Sequence, residues 1–223
     1  CTTLRLLISS GLVMSASPLP QQPPQFGSEV PRRGNALSRG FARFLLWAMR
    51  WKIVGNPPNR RHFIVTAAPH TSNMDGLVFL IASVAMGLEL HWIGKHTLFK
   101  GLGGRFLRWM GGISVHRHAA RDFVGQVAEE FRTRKQLVIV IAPEGTRGRV
   151  TRWKSGYYRM AQQAQVPIAL GFMDYPSRRV GFGPALEVSD DYEADMAQMM
   201  DFYRHVTGKF PERFALHEPQ PPE

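Results

Sequence analysis

The sequence contains one cysteine in 223 residues, Cys1. A single thiol cannot form an intramolecular disulfide, and it excludes metal sites that are built from cysteine pairs. The hydrophobic core must therefore supply the stability that disulfides give to small secreted domains. Such low cysteine usage is typical of a reducing compartment.

Long apolar runs are also missing. No run approaches the roughly 20 residues that a transmembrane helix requires, so the sequence predicts no membrane-spanning segment. The apolar stretch from Leu4 to Val13 precedes small residues, as in a signal peptide. A frayed leader or an incorrectly assigned start explains that stretch equally well.

Several catalytic signatures are absent. The chain has no Gly-x-Ser-x-Gly elbow, no Walker loop, no kinase signature and no internal cysteine, so covalent catalysis has no evident nucleophile. Its clustered histidines lack the spacings of zinc sites, which predicts that no metal is bound. These histidines are His91, His96, His116 and His118.

Acidic residues are scarce relative to basic ones. The chain has 28 Lys and Arg against 17 Asp and Glu, a formal net charge of +11. A nucleic acid, an anionic membrane or a phosphorylated substrate could each match this charge. The aromatic content of 11% argues that the charge lies on a folded domain and not on a disordered tail.

Proline is concentrated near the start of the chain. Residues 1–34 are predicted to form a leader and a proline-rich linker, for which disorder is one expectation. The spacing of apolar residues from Ser38 to Trp51 then predicts an amphipathic basic helix within residues 35–56. Two interpretations are equally supported: a helix that docks on a membrane, and a helix that packs only on its own domain.

Short apolar runs alternate with helical patterns through residues 57–215, and residues 216–223 form a tail. This alternation predicts one α/β domain, with a mixed and largely parallel central sheet flanked by helices. The predicted strands are Phe63–Ala68, Leu90–Gly94, Ile113–His116, Leu137–Ala142, Pro167–Met173 and Arg179–Val188. The predicted helices after the first span residues 73–86, 103–110, 119–134, 153–164 and 190–207.

A histidine and an aspartate lie where the first of these strands gives way to a helix. His70 and Asp75 would be about 140° apart if both were helical, so His70 must lie in the loop. Ser72 or Asn73 can cap the helix, and Asp75 then falls in its first turn, within reach of the imidazole. Such a pair suits a general base and its orienting carboxylate. A loop histidine beside a helix-terminal charge is the structural alternative.

A second strand runs into the segment Pro143-Glu144-Gly145-Thr146-Arg147. Gly145 lets backbone N–H groups approach a ligand closely, Thr146 adds a hydroxyl, and Arg147 can bind a phosphate with two hydrogen bonds. Glu144 could brace Arg147 or bind an acceptor hydroxyl. Lys95 and Arg117, each at the end of an apolar strand, could add to a phosphate site or lie on a solvated basic face.

In this order, these segments and Val166-Pro167-Ile168 resemble the four-block signature of the glycerolipid acyltransferase family, which includes the 1-acylglycerol-3-phosphate acyltransferases. The resemblance covers roughly residues 38–215. It implies that His70 is the general base and Asp75 its partner. The acceptor would be bound by Lys95, Arg117, Glu144, Gly145, Thr146 and Arg147, and Val166, Pro167 and Ile168 would shape the acyl-donor pocket.

The resemblance further implies transfer of a fatty acyl group from acyl-CoA or acyl-carrier protein to a lysophospholipid hydroxyl, without metal or resident cofactor. The expected location is the cytoplasmic face of the cell membrane, on an anionic surface. Ala142 and Gly148 depart from the family pattern, which leaves the acceptor open. A thioesterase that uses His70 and a basic nucleic-acid-binding protein are the rival functions, although nucleic acid is not the expected partner.

Overall fold

The computed structural model describes residues 19–115 and 120–217. Within these residues there are seven strands, β1 Lys52–Val54, β2 His62–Ala68, β3 His91–Lys95, β4 Gly112–Val115, β5 Leu137–Ile141, β6 Ile168–Asp174 and β7 Arg179–Leu186. They form one sheet in the order β1-β7-β6-β2-β5-β3-β4.

Five neighbouring strands, from β6 to β4, run parallel to one another. β7 is antiparallel to β6, and β1 is parallel to β7, so the sheet is mixed and largely parallel as predicted. The six predicted strands are confirmed with small differences at their ends. β1 was not predicted, because three residues directly after a helix give no readable alternation.

In the part of the chain that the structure describes, six α-helices flank the sheet, and each agrees with a predicted helix. α2 begins at Asn73 and ends at Met86, as the pattern predicted, and Gly87 closes it in the left-handed conformation. Their bounds are α1 Ala36–Ala48, α2 Asn73–Met86, α3 Gly101–Trp109, α4 Ala120–Thr133, α5 Gly156–Ala164 and α6 Tyr192–Tyr203.

The sheet separates two hydrophobic cores, because successive strand residues point to opposite faces. Phe63 and Val65 of β2 pack with α1 and α2, whereas Ile64 packs with α4, α5 and α6. α3 lies on the face of α1 and α2, since Phe99 in the turn before it sits against Gly94 and Gly112. We call the two sets of helices the α1–α3 layer and the α4–α6 layer.

The first helix packs on its own domain through one stripe, in which Ala42 and Leu46 are buried. Residues 19–34, which precede this helix, also pack on the domain, since Leu19 and Val30 are buried. The possible signal peptide, Leu4 to Val13, lies outside the described residues. Within the parts of the chain that the structure describes, no helix has the length and apolar character to cross a bilayer.

Candidate active site

The carboxyl ends of the parallel strands meet at one edge of the sheet, and the predicted catalytic residues follow them there. β2 leads into His70 after a cis Ala68–Pro69 peptide bond, and the neighbouring strand β5 leads into Glu144. This edge is where open α/β sheets place their ligand sites. Two segments that are 74 residues apart in sequence are thereby joined, since Glu144 accepts a hydrogen bond from the His70 backbone N–H.

His70 faces Asp75 as the spacing predicted. The Nδ1 atom of His70 lies 3.8 Å from Oδ2 of Asp75, and the histidine side chain is 26% exposed while the carboxylate is fully buried. His70 is outside the helix, Ser72 is the N-cap residue, and Asp75 is the third residue of α2. The geometry therefore suits a carboxylate that orients an imidazole whose other nitrogen is open to a substrate.

The carboxylate of Asp75 is held by a dense set of donors. Oδ2 accepts hydrogen bonds from the backbone N–H groups of Thr71 at 2.6 Å and Ser72 at 2.7 Å. Oδ1 accepts from the Ser72 hydroxyl and from the Tyr175 hydroxyl, each at 2.6 Å. These donors compensate the burial of the negative charge and fix the direction in which Asp75 points.

The electrostatics keep His70 neutral. Burial lowers the pKa of His70 below its ordinary value of 6.5; the Asp75 carboxylate raises it in part, and the Arg147 guanidinium lowers it again. A neutral imidazole at pH 7 is the form that can accept a proton. His70 therefore has both the contact and the protonation state of a general base.

Glu144 lies in a different environment. Its side chain is buried, and burial raises its pKa to about 7, with the nearby Asp75 charge acting in the same direction. The hydrogen bond from the His70 backbone acts against this shift. Glu144 thus braces the loop that carries His70, and it does not pair with Arg147 in the contacts of the described residues.

The loop after Glu144 presents exposed polar and basic groups beside His70 and Asp75. Arg147 donates a hydrogen bond to the Asn73 side chain at the start of α2. The Thr146 hydroxyl accepts a hydrogen bond from the backbone N–H of Gly148 at 3.2 Å. Gly145 has a φ of +66°, which favours glycine, and Lys154 packs where a larger side chain would sit. The loop can therefore bind an anion next to His70.

The remaining predicted residues lie further away or cannot be placed. Lys95 ends β3 at the same edge of the sheet, two strands from β2. Arg117 lies outside the described residues. Ile168 pairs with Ile64, four strand residues or roughly 13 Å before Ala68, so the Val166-Pro167-Ile168 segment lies toward the opposite edge of the sheet.

That opposite edge offers no evident place for an acyl chain. Val166 and Ile168 are core residues, and Val166 and Pro167 border a pocket of about 300 Å³ that is lined largely by polar groups, including Arg60, Arg61 and Glu187. The donor role of the three residues stays a prediction, and their position does not bring them to His70.

A larger groove opens beside the site, between α4 and α5. Its volume is about 1200 Å³, and Pro143 and Gly145, the neighbours of Glu144, are part of its lining. Lys154 and Arg159 also line it. Its apolar lining includes Ile93, Phe123, Val124, Ile141, Tyr157 and Met160. A long apolar ligand could therefore extend away from His70 along this groove.

Two contributors to the site were missed by sequence reasoning. Tyr175 is 100 residues from Asp75 in sequence, and no motif links the two. Lys154 lies beyond the glycine-containing segment and reaches it because its backbone N–H donates to the carbonyl of Pro143 at 2.9 Å. Only the basic run around Arg152 and Lys154 could have indicated the second of these.

The chain matches the model of a known protein family. The model of the acyltransferase family matches residues 51–169, more than half of the chain. The chain belongs to the acyltransferase family. The match includes both loops that meet at His70.

The fold agrees with a solved member. The 1-acyl-sn-glycerophosphate (LPA) acyltransferase PlsC from Thermotoga maritima is 17% identical, with a TM-score of 0.54. The similarity covers 76% of this chain and 77% of that chain. At this identity, the comparison supports the fold of the acyltransferase and not its acceptor. A search of curated proteins gives no significant match.

Proposed function

We propose that the protein transfers a fatty acyl group from a thioester donor, acyl-CoA or acyl-carrier protein, to a hydroxyl of a lysophospholipid. The acceptor proposed first is 1-acylglycerol-3-phosphate, which would give phosphatidic acid. The observation that carries the proposal is the approach of His70 to the buried Asp75 beside Arg147, in a chain of the acyltransferase family.

The proposed mechanism is a direct transfer. Nδ1 of His70 is directed toward Asp75, so Nε2 accepts the proton of the acceptor hydroxyl as its oxygen attacks the thioester carbonyl carbon. The new ester C–O bond forms, the C–S bond breaks, and the proton on His70 passes to the leaving thiolate. Asp75 stabilises the imidazolium between these steps. Both substrates must be bound together, because no acyl-enzyme is formed.

The acceptor phosphate would lie against the loop after β5. Arg147 supplies a planar fork for phosphate oxygens, and Thr146 and Lys154 lie on the same loop. Lys95 and Arg117 remain proposed contributors from the neighbouring strand ends. A phosphate held here lies beside His70, as a lysophospholipid with a hydroxyl near its phosphate requires.

The acyl chain of the donor is proposed to occupy the groove between α4 and α5. Pro143 and Gly145, on either side of the glutamate that contacts His70, line this groove, and its volume of about 1200 Å³ exceeds that of a typical small-molecule pocket. This placement has the advantage over Val166-Pro167-Ile168 that part of the lining adjoins Glu144, at the same edge of the sheet as His70.

The enzyme is further proposed to act as a peripheral protein on an anionic membrane, at the cytoplasmic face. α1 supports this, since the side chains of Leu37, Phe41, Phe44 and Trp47 are exposed opposite its buried stripe. α1 packs on its own domain through one stripe, and its exposed stripe is the one proposed to dock on the membrane. Its deletion would open the core, and substitutions on its exposed stripe are the better test.

The function is tested by incubating purified protein with labelled acyl-CoA or acyl-carrier protein and a panel of lysophospholipids. Formation of phosphatidic acid is the expected result. Thiol release at the same rate without any acceptor would instead indicate a thioesterase. The same assay with a chelator tests the expectation that no metal is needed, because activity should then be unchanged.

A further inference from the structure

The two helical layers differ in the side chains that they present to solvent. Among the described residues, every large apolar side chain that is exposed lies in the α1–α3 layer or in the turn His96–Phe99 before α3. On α2 and α3 and in that turn they are Leu77, Leu80, Val84, Leu98, Leu102, Phe106 and Trp109. Exposed apolar surface on this scale marks an interaction site.

α3 repeats the surface of α1. Leu102 is 83% exposed and Trp109 67% exposed, and Phe106 stacks on Trp109 with 5.8 Å between ring centroids. On α1 the rings of Phe44 and Trp47 form a similar exposed pair at 5.9 Å. Each helix thus carries a phenylalanine and a tryptophan one turn apart, pointing away from the core.

The helices of the α1–α3 layer are linked by contacts. Arg33, just before α1, donates a hydrogen bond to the carbonyl of Trp109 at 2.6 Å and lies over its ring. α1 and α2 pack along each other, and the end of α2 contacts the segment that precedes α1 through the Arg32 to Leu88 bridge. Contacts therefore link α1 to α2, and the segment before α1 to the end of α3.

The exposed charge of these three helices has one sign. α1 and α3 contain no acidic residue, and the acid of α2, Asp75, is buried. Exposed cations of these helices include Arg43 on α1 and Arg105 and Arg108 on α3. The α4–α6 layer carries acids on its surface instead, at Glu129, Glu130, Glu193 and Asp201.

From these observations we infer that α3 is a second docking element, which lies with α1 and α2 against a bilayer that contains anionic phospholipid. Aromatic rings at the headgroup level, with cations beside them, match such an interface. A second copy of the chain fits less well, because a symmetric contact would place basic rim against basic rim. Docking also brings the site to its substrate, since exposed Leu77 is about 6 Å along α2 from Asn73.

The test measures sedimentation with phosphatidylcholine–phosphatidylglycerol vesicles. Leu102→Ser with Phe106→Ser should weaken binding by at least about tenfold without lowering the Tm, because these side chains are largely exposed. Lys100→Gln with Arg105→Gln should weaken it by about fivefold per charge. The matched control, Arg132→Gln with Arg204→Gln, removes two exposed charges from the α4–α6 layer and should have little effect.

Vesicle binding that is unchanged in both α3 variants, or equally weakened in the control, would overturn the inference. The inference would also be overturned if the wild-type protein formed a dimer and did not bind vesicles, and if the Leu102→Ser, Phe106→Ser variant were a monomer. The inference rests on the proposed function only for its lipid substrate. Acylation of a monomeric short-chain lysophospholipid should stay at the wild-type rate in the α3 variants. Loss of this acylation in His70→Ala tests the proposed function separately.

A different observation assigns a role to Tyr175. Its hydroxyl donates to Oδ1 of Asp75 at 2.6 Å, from the turn between β6 and β7. Tyr175 is itself fixed, because its backbone N–H donates to Thr207 at 3.0 Å and its ring meets Trp51 edge-on at 5.0 Å. We propose that Tyr175 is a positioning residue that acts on His70 through Asp75.

Tyr175→Phe removes the donor and keeps the ring. Without the hydroxyl, Asp75 directs more uncompensated charge toward His70, so the pKa of His70 should rise and the acidic limb of kcat/KM should move to higher pH. We expect kcat to fall by about tenfold with little change in acceptor KM. Tyr158→Phe is the control, because the Tyr158 hydroxyl donates to buried Asp195 at 2.8 Å, in the α4–α6 layer.

The control should lose stability without moving the acidic limb. An unmoved limb and a kcat within about twofold of wild type in Tyr175→Phe would overturn the proposal. An equal fall in kcat in Tyr158→Phe would overturn it as well, since the loss would then follow from stability alone.

Discussion

Asp75 and Glu144 flank the same histidine from two loops, yet their surroundings differ. Asp75 accepts hydrogen bonds from Thr71, Ser72 and Tyr175, through both backbone and hydroxyl donors. In the hydrogen bonds of the described residues, Glu144 accepts from the backbone N–H of His70. Several donors therefore compensate the burial of the Asp75 carboxylate. Glu144 has fewer such contacts, and burial raises its pKa to about 7.

This difference shows that environment separates the roles of two buried carboxyl groups at one site. The donors around Asp75 fix its side chain in the direction of His70. Glu144 is placed to hold the loop backbone, and near neutral pH it can gain or lose a proton.

Asp75→Asn should have the largest effect. The amide keeps the shape but can present its NH₂ group to Nδ1 and leaves the imidazolium unstabilised, so kcat should fall by about 10³ to 10⁴. The initial rate of acyl transfer measures this, with circular dichroism as the check on folding. A folded variant with a kcat within tenfold of wild type would show that the Asp75 carboxylate is not needed to orient His70.

Arg147→Lys should chiefly raise the acceptor KM, by about tenfold, because the fork that can bind phosphate with two hydrogen bonds is lost while the charge stays. The kcat should change little. Initial rates over a range of acceptor concentrations measure both constants. An unchanged KM would exclude Arg147 from the phosphate site.

Arg147→Gln tests whether the charge of Arg147 influences the pKa of His70. In the wild type the acidic limb of kcat/KM should lie below pH 6.5, because burial and Arg147 lower the pKa of His70. Neutral His70 is the active form, so removal of the Arg147 charge should raise that pKa and move the limb to higher pH. A limb that stays in place in Arg147→Gln would show that the two side chains are not coupled.

Glu144→Gln should affect stability in a pH-dependent way. Between pH 4.5 and 7 the folded state retains a proton that the unfolded state releases, so wild-type stability falls as pH rises through this window. Glutamine does not titrate, and the variant should gain up to about 3 kcal/mol over wild type above pH 7. Thermal unfolding at pH 5 and pH 8 measures this, and a Tm difference that does not grow with pH would contradict it.

The sequence predicted the elements of the fold because its apolar patterns are local. The helix 73–86 was predicted at both ends, since Ser72 and Gly87 mark them chemically. β1 was missed because its three residues pair with β7, more than 120 residues away, and such pairing leaves no local trace. The sequence pattern alone could not show which side of α1 is buried against the domain and which side is exposed.

The site was predicted in part. The approach of His70 to Asp75 followed from a local argument about helix geometry, and the structure has that geometry. The contact of Glu144 with the His70 backbone depends on the pairing of β2 with β5, and the Tyr175 contact depends on the β6–β7 turn. Neither contact has a sequence signal, because tertiary packing alone brings these segments together.

In the proposed mechanism, His70 deprotonates an acceptor hydroxyl for direct acyl transfer. The most direct measurement follows labelled acyl groups from acyl-CoA into phospholipid product, for wild type and for His70→Ala. We expect loss of product formation in a variant that is folded and still binds vesicles, since a base of this kind is worth about 10² to 10⁴ in rate. Product formation at a near wild-type rate in His70→Ala would show that His70 is not the general base.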